Sequence, residues 1–267
     1  MKTFEHLIAL AILIVFSCAC TNKAKQSNVQ NRMPDSAKVD SVSVGSVTND
    51  TFTSPDLIMN ELKSHVKTCE TFCYDASFKN GEYKIENTKA VAYLLAFTKE
   101  GYISKDRDYD LTYDAQGKLI EGRYLPYKEM RIHIMRNKAG YIDTLACIHK
   151  TGEETDGGFR IEYKWNNKNE LTEADCVGWE WGYNNQYVYN EKGLREKFIN
   201  SSFPNYEEQI DNTYTYSYVK FDNKNNWIER NIQLVSITTI TDMESGESTK
   251  SAPRKSYQIE KREITYY

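Results

Sequence analysis

Along most of this chain, apolar and polar residues alternate with a period of two. In "YDLTYD", Tyr109, Leu111 and Tyr113 fall on one side, and Asp110, Thr112 and Asp114 on the other. In "RIEYKW", Ile161, Tyr163 and Trp165 oppose Arg160, Glu162 and Lys164. Successive side chains of a strand point to opposite faces, so each segment predicts a strand with one buried and one wet face, the pattern of antiparallel sheets. "NTKAVAYLLAFTK" has the Ala and Leu of a short helix, yet Val91, Tyr93, Leu95 and Phe97 alternate, which favours a strand. "SPDLIMNELKSHVKTCETFC" departs from this pattern. Ser54 can cap a helix, Pro55 suits its first position and Asp56 its positive end, and Ile58, Leu62, Val66, Cys69 and Cys73 recur at helical spacing. This predicts one N-terminal helix packed against the sheet, plugging or covering one end of it.

Between the alternating segments one turn is written six times. Thr98, Asp114, Asn137, Asn166, Asn190 and Asp222 open it, and Gly101, Gly117, Gly140, Asn169, Gly193 and Asn225 stand three residues on. An Asp or Asn side chain at the first position can bond the backbone ahead, and Gly or Asn takes the left-handed conformation at least cost. An aromatic residue precedes five of the six (Phe97, Tyr113, Trp165, Tyr189, Phe221), Arg136 being the exception, and an apolar residue follows each. Asn80-Gly81 adds a two-residue hairpin signal. Turn chemistry alone explains the repetition and requires no catalysis.

The run of aromatic, Asp or Asn, two residues, Gly and aliphatic, as in "YDAQGKL" and "YNEKGLRE", resembles the YD-repeat of the Rhs family, in which successive hairpins wind into a long curved sheet. "YVKFDNKNNWIERNIQ" and the closing "EKREITYY" are similar to short YD-repeat-like lipoproteins of Bacteroidetes-type bacteria. The resemblance covers roughly residues 95–267. The turns are unevenly spaced and two use Asn for Gly. Toxin delivery by large Rhs shells is not implied for a chain this short. The expected fold is mainly β: an antiparallel sheet of consecutive hairpins, open or partly rolled, with the N-terminal helix packed against it.

Composition supports strands, with 20 Tyr, 10 Phe and 4 Trp among 267 residues and an apolar content of 40%. A formal net charge of −4 with no dense Lys/Arg patch argues against a nucleic-acid partner. Residues 1–20 carry a short apolar run, "LIALAILIVF", followed by "VFSCAC". Val15, Phe16 and Ser17 before Cys18 resemble a bacterial lipobox and make Cys18 the lipidated residue, with Cys20 as the alternative. An ordinary cleaved signal is the competing reading. Residues 21–53, rich in Ser, Asn, Lys and Asp, read as a flexible tether of roughly 30 Å reach, and residues 54–267 as the folded domain. A lipid anchor would place the protein in the cell envelope, on either face of the outer membrane, held without spanning.

Chemistry is sparse. Cys69, Cys73, Cys147 and Cys176 could pair in an exported protein, or serve as small buried hydrophobes. Asp106, Asp108 and Asp110 have the spacing that opens a calcium loop, but Leu111 stands where Gly is needed and Gly117 where a bidentate Glu is needed, so a solvated acidic face is expected and no metal site. Cys147 and His149 share a strand face without a visible orienting partner. No hydrolase or metal signature occurs, so neither a catalytic residue nor a cofactor is assigned. "GWEWGY" sets Trp179, Trp181 and Tyr183 on one face, which is core if inward and a stacking platform for sugar or protein if outward. The expected function is non-catalytic binding or scaffolding of a protein or glycan in the envelope. An envelope hydrolase and a purely structural protein are the alternatives.

Overall fold

The structure, a computed structural model, describes residues 52–87, 91–152, 158–178 and 181–267. Cys18, the signal segment and all but the last two tether residues lie outside them, as does Trp179. The described chain forms a short helix α1 (Pro55–Met59) and sixteen strands. The first eight are β1 (Val66–Lys79), β2 (Glu82–Ile85), β3 (Val91–Phe97), β4 (Ile103–Lys105), β5 (Tyr109–Tyr113), β6 (Leu119–Tyr124), β7 (Met130–Arg136) and β8 (Ile142–His149). They continue as β9 (Phe159–Trp165), β10 (Leu171–Gly178), β11 (Gly182–Tyr189), β12 (Arg195–Phe203), β13 (Glu208–Phe221), β14 (Trp227–Thr241), β15 (Ser248–Lys250) and β16 (Arg254–Tyr266).

The sheet closes. Strands β3 to β14 pair in sequence order, β14 pairs β16, β16 pairs β1, and β1 pairs β3, giving a ring of fourteen antiparallel strands. β2 and β15 extend the ring as short hairpin partners of β1 and β14. The expected open or partly rolled sheet is therefore corrected to a barrel. Closure depends on pairing the two ends of the folded chain, from Val66 opposite Tyr266 to Ala76 opposite Tyr257, and it leaves the ring no unpaired edge.

The expected long helix is also corrected. Ser54 does cap it, its Oγ accepting from Leu57 N–H at 3.2 Å. The helix nevertheless ends at Met59, Glu61 and Ser64 take positive φ of 54° and 66°, and the chain is extended from Val66. Cys69 and Cys73 stand four apart, a spacing that period two satisfies as well as period 3.6. Between them Thr71 is buried on the same face, and the β-branched and aromatic residues of "VKTCETFCY" settle the choice for strand.

The six repeated turns form as their sequence implies. In each, the N–H of the third residue after the opener donates to the opener's carbonyl at 2.9–3.2 Å, and that residue has φ between 61° and 86°. Asp114, Asn137, Asn166, Asn190 and Asp222 each accept two backbone N–H groups through one side-chain oxygen. Alternate connections of an up-and-down meander fall at one end, so all six turns line a single rim, together with the start of β1 and the end of β16.

Residues 54–63 fill this rim. Ser54 Oγ donates to Gly101 O (2.7 Å), Ile103 N–H donates to Asp56 (2.9 Å), Arg136 grips Asp56, and Lys63 N–H donates to Asn226 Oδ1 (2.7 Å). The Glu61 carboxylate accepts from Tyr218 (2.7 Å) and Arg230 (3.0 Å), while Arg262 donates to Asn60 O (3.1 Å). The inward side chains of the barrel merge with the plug's Leu57 into one core, including Leu111, Ile161, Tyr163, Tyr187 and Tyr214. Three buried asparagines, Asn185, Asn200 and Asn212, bond one another across β11, β12 and β13.

The outward rows carry Arg160, Glu162, Lys164, Lys197 and Lys220. A barrel that crosses a bilayer shows lipid an apolar belt and keeps polar groups inside. On this wall these charged residues face outward, among scattered apolar ones such as Ile120, Met135 and Ile240, while the core holds many aromatic rings. Among the described residues no helix is long and apolar enough to cross a membrane.

Candidate functional site

At the rim opposite the plug, strands β9 to β12 end around an open depression of about 680 Å³. Its form follows from two glycines. Gly178 ends β10, and a Cβ there would fall 2.5 Å from the Trp181 ring, so only glycine lets the indole lie over the backbone. Gly182 opens β11 between Val177 and Phe203, its partners in register, and leaves a gap in the outward row. Trp181 is half-buried and packs on Phe159 at 5.9 Å between ring centres. Val177 (69% exposed), Phe203 (41%) and Tyr206 (72%) supply the remaining apolar surface.

Polar groups ring these apolar ones. Glu162, Asp175 and Asn184 stand side by side on β9, β10 and β11. Asn184 donates to Asp175 at 2.5 Å, and Arg160 pairs with Glu162 at 3.0 Å. Asn205 shapes the β12–β13 connection by accepting the N–H groups of Glu207 and Glu208, both at 2.8 Å. That leaves its amide nitrogen as the end a ligand oxygen could meet. The lining thus holds two carboxylates, two amides and one guanidinium around exposed rings.

Of the sequence candidates, Trp181 lies in this depression. Tyr183 lines its inner side but turns inward and is 3% exposed, so it belongs chiefly to the core. Trp179 is outside the described residues. Sequence reasoning missed Phe203, Asn205 and Tyr206. Their signal was "SSFPNYEE", where Pro204 and Asn205 mark a turn, with Phe203 at an outward position at the end of β12 and Tyr206 in the connection.

The acidic triplet is corrected. Asp106 and Asp108 are buried in the β4–β5 connection, and only Asp110 keeps partial exposure. β4 is three residues long, too short to carry the connection out to the far rim, so these carboxylates stay at core level. Burial, and next the Asp108 charge, push Asp106 up to about 7, against the opposing N–H groups of Arg107 and Asp108. Asp106 lines a cavity of about 10 Å³ with Asp56 and Tyr109, room for about one water. Among the described residues no group of three or more His, Cys, Asp or Glu side chains is placed to hold a metal ion.

Cys69, Cys73, Cys147 and Cys176 form no disulfide and are all buried. Burial pushes the Cys147 thiol up to about 12, the reverse of what a nucleophile needs. His149 bonds Thr151 at 2.7 Å at the surface instead of orienting that thiol.

No family model matches the chain, and no curated protein does. Among solved structures, a porin-like protein from Bacteroides uniformis is 9% identical, with 75% of this chain and 96% of that chain covered and a TM-score of 0.35. Another from Bacteroides vulgatus is 10% identical, with 77% and 99% covered and a TM-score of 0.38. At these TM-scores the likeness adds nothing to what the strand pairing shows.

Proposed function

We propose that this protein is a non-catalytic binding module of the cell envelope, with the depression between β9 and β12 as its ligand site. The observation that carries this reading is the set of rings at that rim. Phe203 and Tyr206 stand exposed beside fixed Trp181 and a row of hydrogen-bonding groups, in a hollow of the size that takes small ligands. A ring left in water costs hydrophobic free energy, and its clustering with polar groups is the usual composition of a recognition surface. The six hairpins, YD-like in sequence, serve as scaffold. Lipidation at Cys18 and the tether of residues 21–53 would hold the barrel near a membrane, and the charged outer wall suits a barrel that stands in water beside it.

A photo-crosslinking amino acid placed at Tyr206 in cells tests the site, with the same group at Ile120, exposed on β6, as control. Adducts at position 206 absent at position 120 are expected; identical patterns would remove the depression as a binding site. For the anchor, Cys18→Ala is expected to abolish fatty-acid labelling and release the chain from membranes, and labelling that survives it but is lost in Cys20→Ala moves the anchor to Cys20.

A further inference from the structure

We propose that the depression takes a neutral oligosaccharide, an inference that rests on its being the ligand site. A pyranose offers an apolar face of C–H groups and a rim of hydroxyls, and the depression offers their complements. Trp181 is pinned over Gly178 and against Phe159, so it presents a rigid surface with little ordering cost. Phe203 and Tyr206, exposed on the outward side of the same rim, line the same depression and add apolar surface to it. Around it, carboxylates accept hydrogen bonds from hydroxyls and amides both donate and accept, the combination that suits a ligand whose every polar group does both.

Charge gives the main competitors no advantage. Arg160 pairs with Glu162 at 3.0 Å, and Lys164 reaches Asp175 at 3.8 Å. Each cation beside the depression thus already has a carboxylate, and none is left to draw a sulfated, phosphorylated or uronic-acid chain. Its open form admits a chain running past in either direction, so an internal stretch of a polysaccharide fits as well as an end.

The test titrates the purified full chain in detergent micelles with cellohexaose, chitohexaose and mannohexaose as neutral probes and with hexagalacturonate as the anionic one. Calorimetry and tryptophan emission provide the readouts. At least one neutral probe is expected to bind and shift the emission. Phe203→Ala and Tyr206→Ala, which remove exposed rings and leave the melting temperature in place, are each expected to weaken binding about tenfold. The proposal is overturned if no neutral probe binds the folded chain, if hexagalacturonate binds more tightly, or if both alanine variants bind as the parent does. The crosslinking experiment at Tyr206 separates the two readings. A protein adduct there without sugar binding overturns the saccharide and keeps the site, whereas neither signal overturns both.

Discussion

Arg136 holds Asp56 with two parallel hydrogen bonds, Nη1 to Oδ1 at 2.6 Å and Nη2 to Oδ2 at 2.8 Å, across 80 positions of sequence. The pair fastens helix α1 to the third of the six turns, and Ile103 N–H adds a third bond to the same carboxylate. Asp56 is almost wholly buried, so removing the guanidinium strands a charge. Arg136→Ala is expected to cost about 3–5 kcal/mol, and Arg136→Lys, which keeps the charge but loses the fork, to cost less. Urea denaturation of both variants, with Asp56→Asn to complete a double-mutant cycle, measures the coupling. A coupling near zero would mean that the plug is not held by this pair.

Acid should release the plug through Glu61. Burial alone would raise its carboxyl, but the Arg195, Arg230 and Arg262 guanidiniums and the Tyr218 hydroxyl override it and hold it at about 2. A carboxyl depressed in the folded state stabilises above its unfolded value and loses that contribution as pH falls through the folded one. The expected loss is about 3 kcal/mol between roughly pH 4.5 and 2. Glu61→Gln is expected to flatten that limb of the stability curve and to lower stability at neutral pH, where it takes the carboxylate from buried Arg195 and leaves Arg230 with Glu260 alone. An unchanged acid limb in the variant would rule Glu61 out as its cause.

Asp106 works in the other direction. Its carboxyl rises to about 7 on folding from an ordinary value of 3.8, so between those values the folded state binds a proton that the unfolded state has released. Stability is then highest below about pH 4 and falls as pH rises to 7, by about 4 kcal/mol. The two windows together place maximal stability near pH 4–5. Asp106→Asn keeps an oxygen for the N–H groups of Arg107 and Asp108 and removes the titration. Its melting temperature is expected to exceed the parent's at pH 8 and to match it at pH 4, and equal melting temperatures at both would refute the assignment.

What was legible in the sequence was local. Asn137, Asn190 and their equivalents specify their turns through bonds that span four residues, and Ile161 and Tyr163 alternate with Glu162 whichever strands lie beside them. Closure was not legible, because it depends on Val66 meeting Tyr266, and nothing in either end names the other. The helix was overextended because Cys69 and Cys73 satisfy both periods. Asp106 and Asp108 read as solvated because acidic residues usually are; the shortness of β4, which buries them, is a property of the meander as a whole. At the depression, Trp181 was legible as an aromatic among glycines, but its companions on the β12–β13 connection are brought to it by pairing of β11 with β12.

Two glycines, Gly117 in a repeated turn and Gly246 in the β14–β15 connection, allow backbone strain to be separated from crowding. Gly117 and Gly246 have similar φ, 76° and 73°, which an L side chain adopts at a cost of about 1–2 kcal/mol. Their surroundings differ. A Cβ at Gly246 meets nothing within 4 Å, whereas at Gly117 it would fall 2.3 Å from the Tyr102 hydroxyl oxygen and 2.4 Å from the adjoining ring carbon. Tyr102 is itself stacked on Tyr113 at 5.2 Å and lies under the Arg136 guanidinium at 5.1 Å, so its ring cannot swing aside without disturbing the helix anchor. Gly246→Ala is therefore expected to cost only the strain, and Gly117→Ala the strain plus a displaced ring, about 1–3 kcal/mol more. Replacing Tyr102 with Ala in the Gly117→Ala background should recover much of that excess. Equal costs for the two glycine variants, or no recovery, would mean that the turn tolerates the extra carbon and that Tyr102 is not what fixes glycine at position 117.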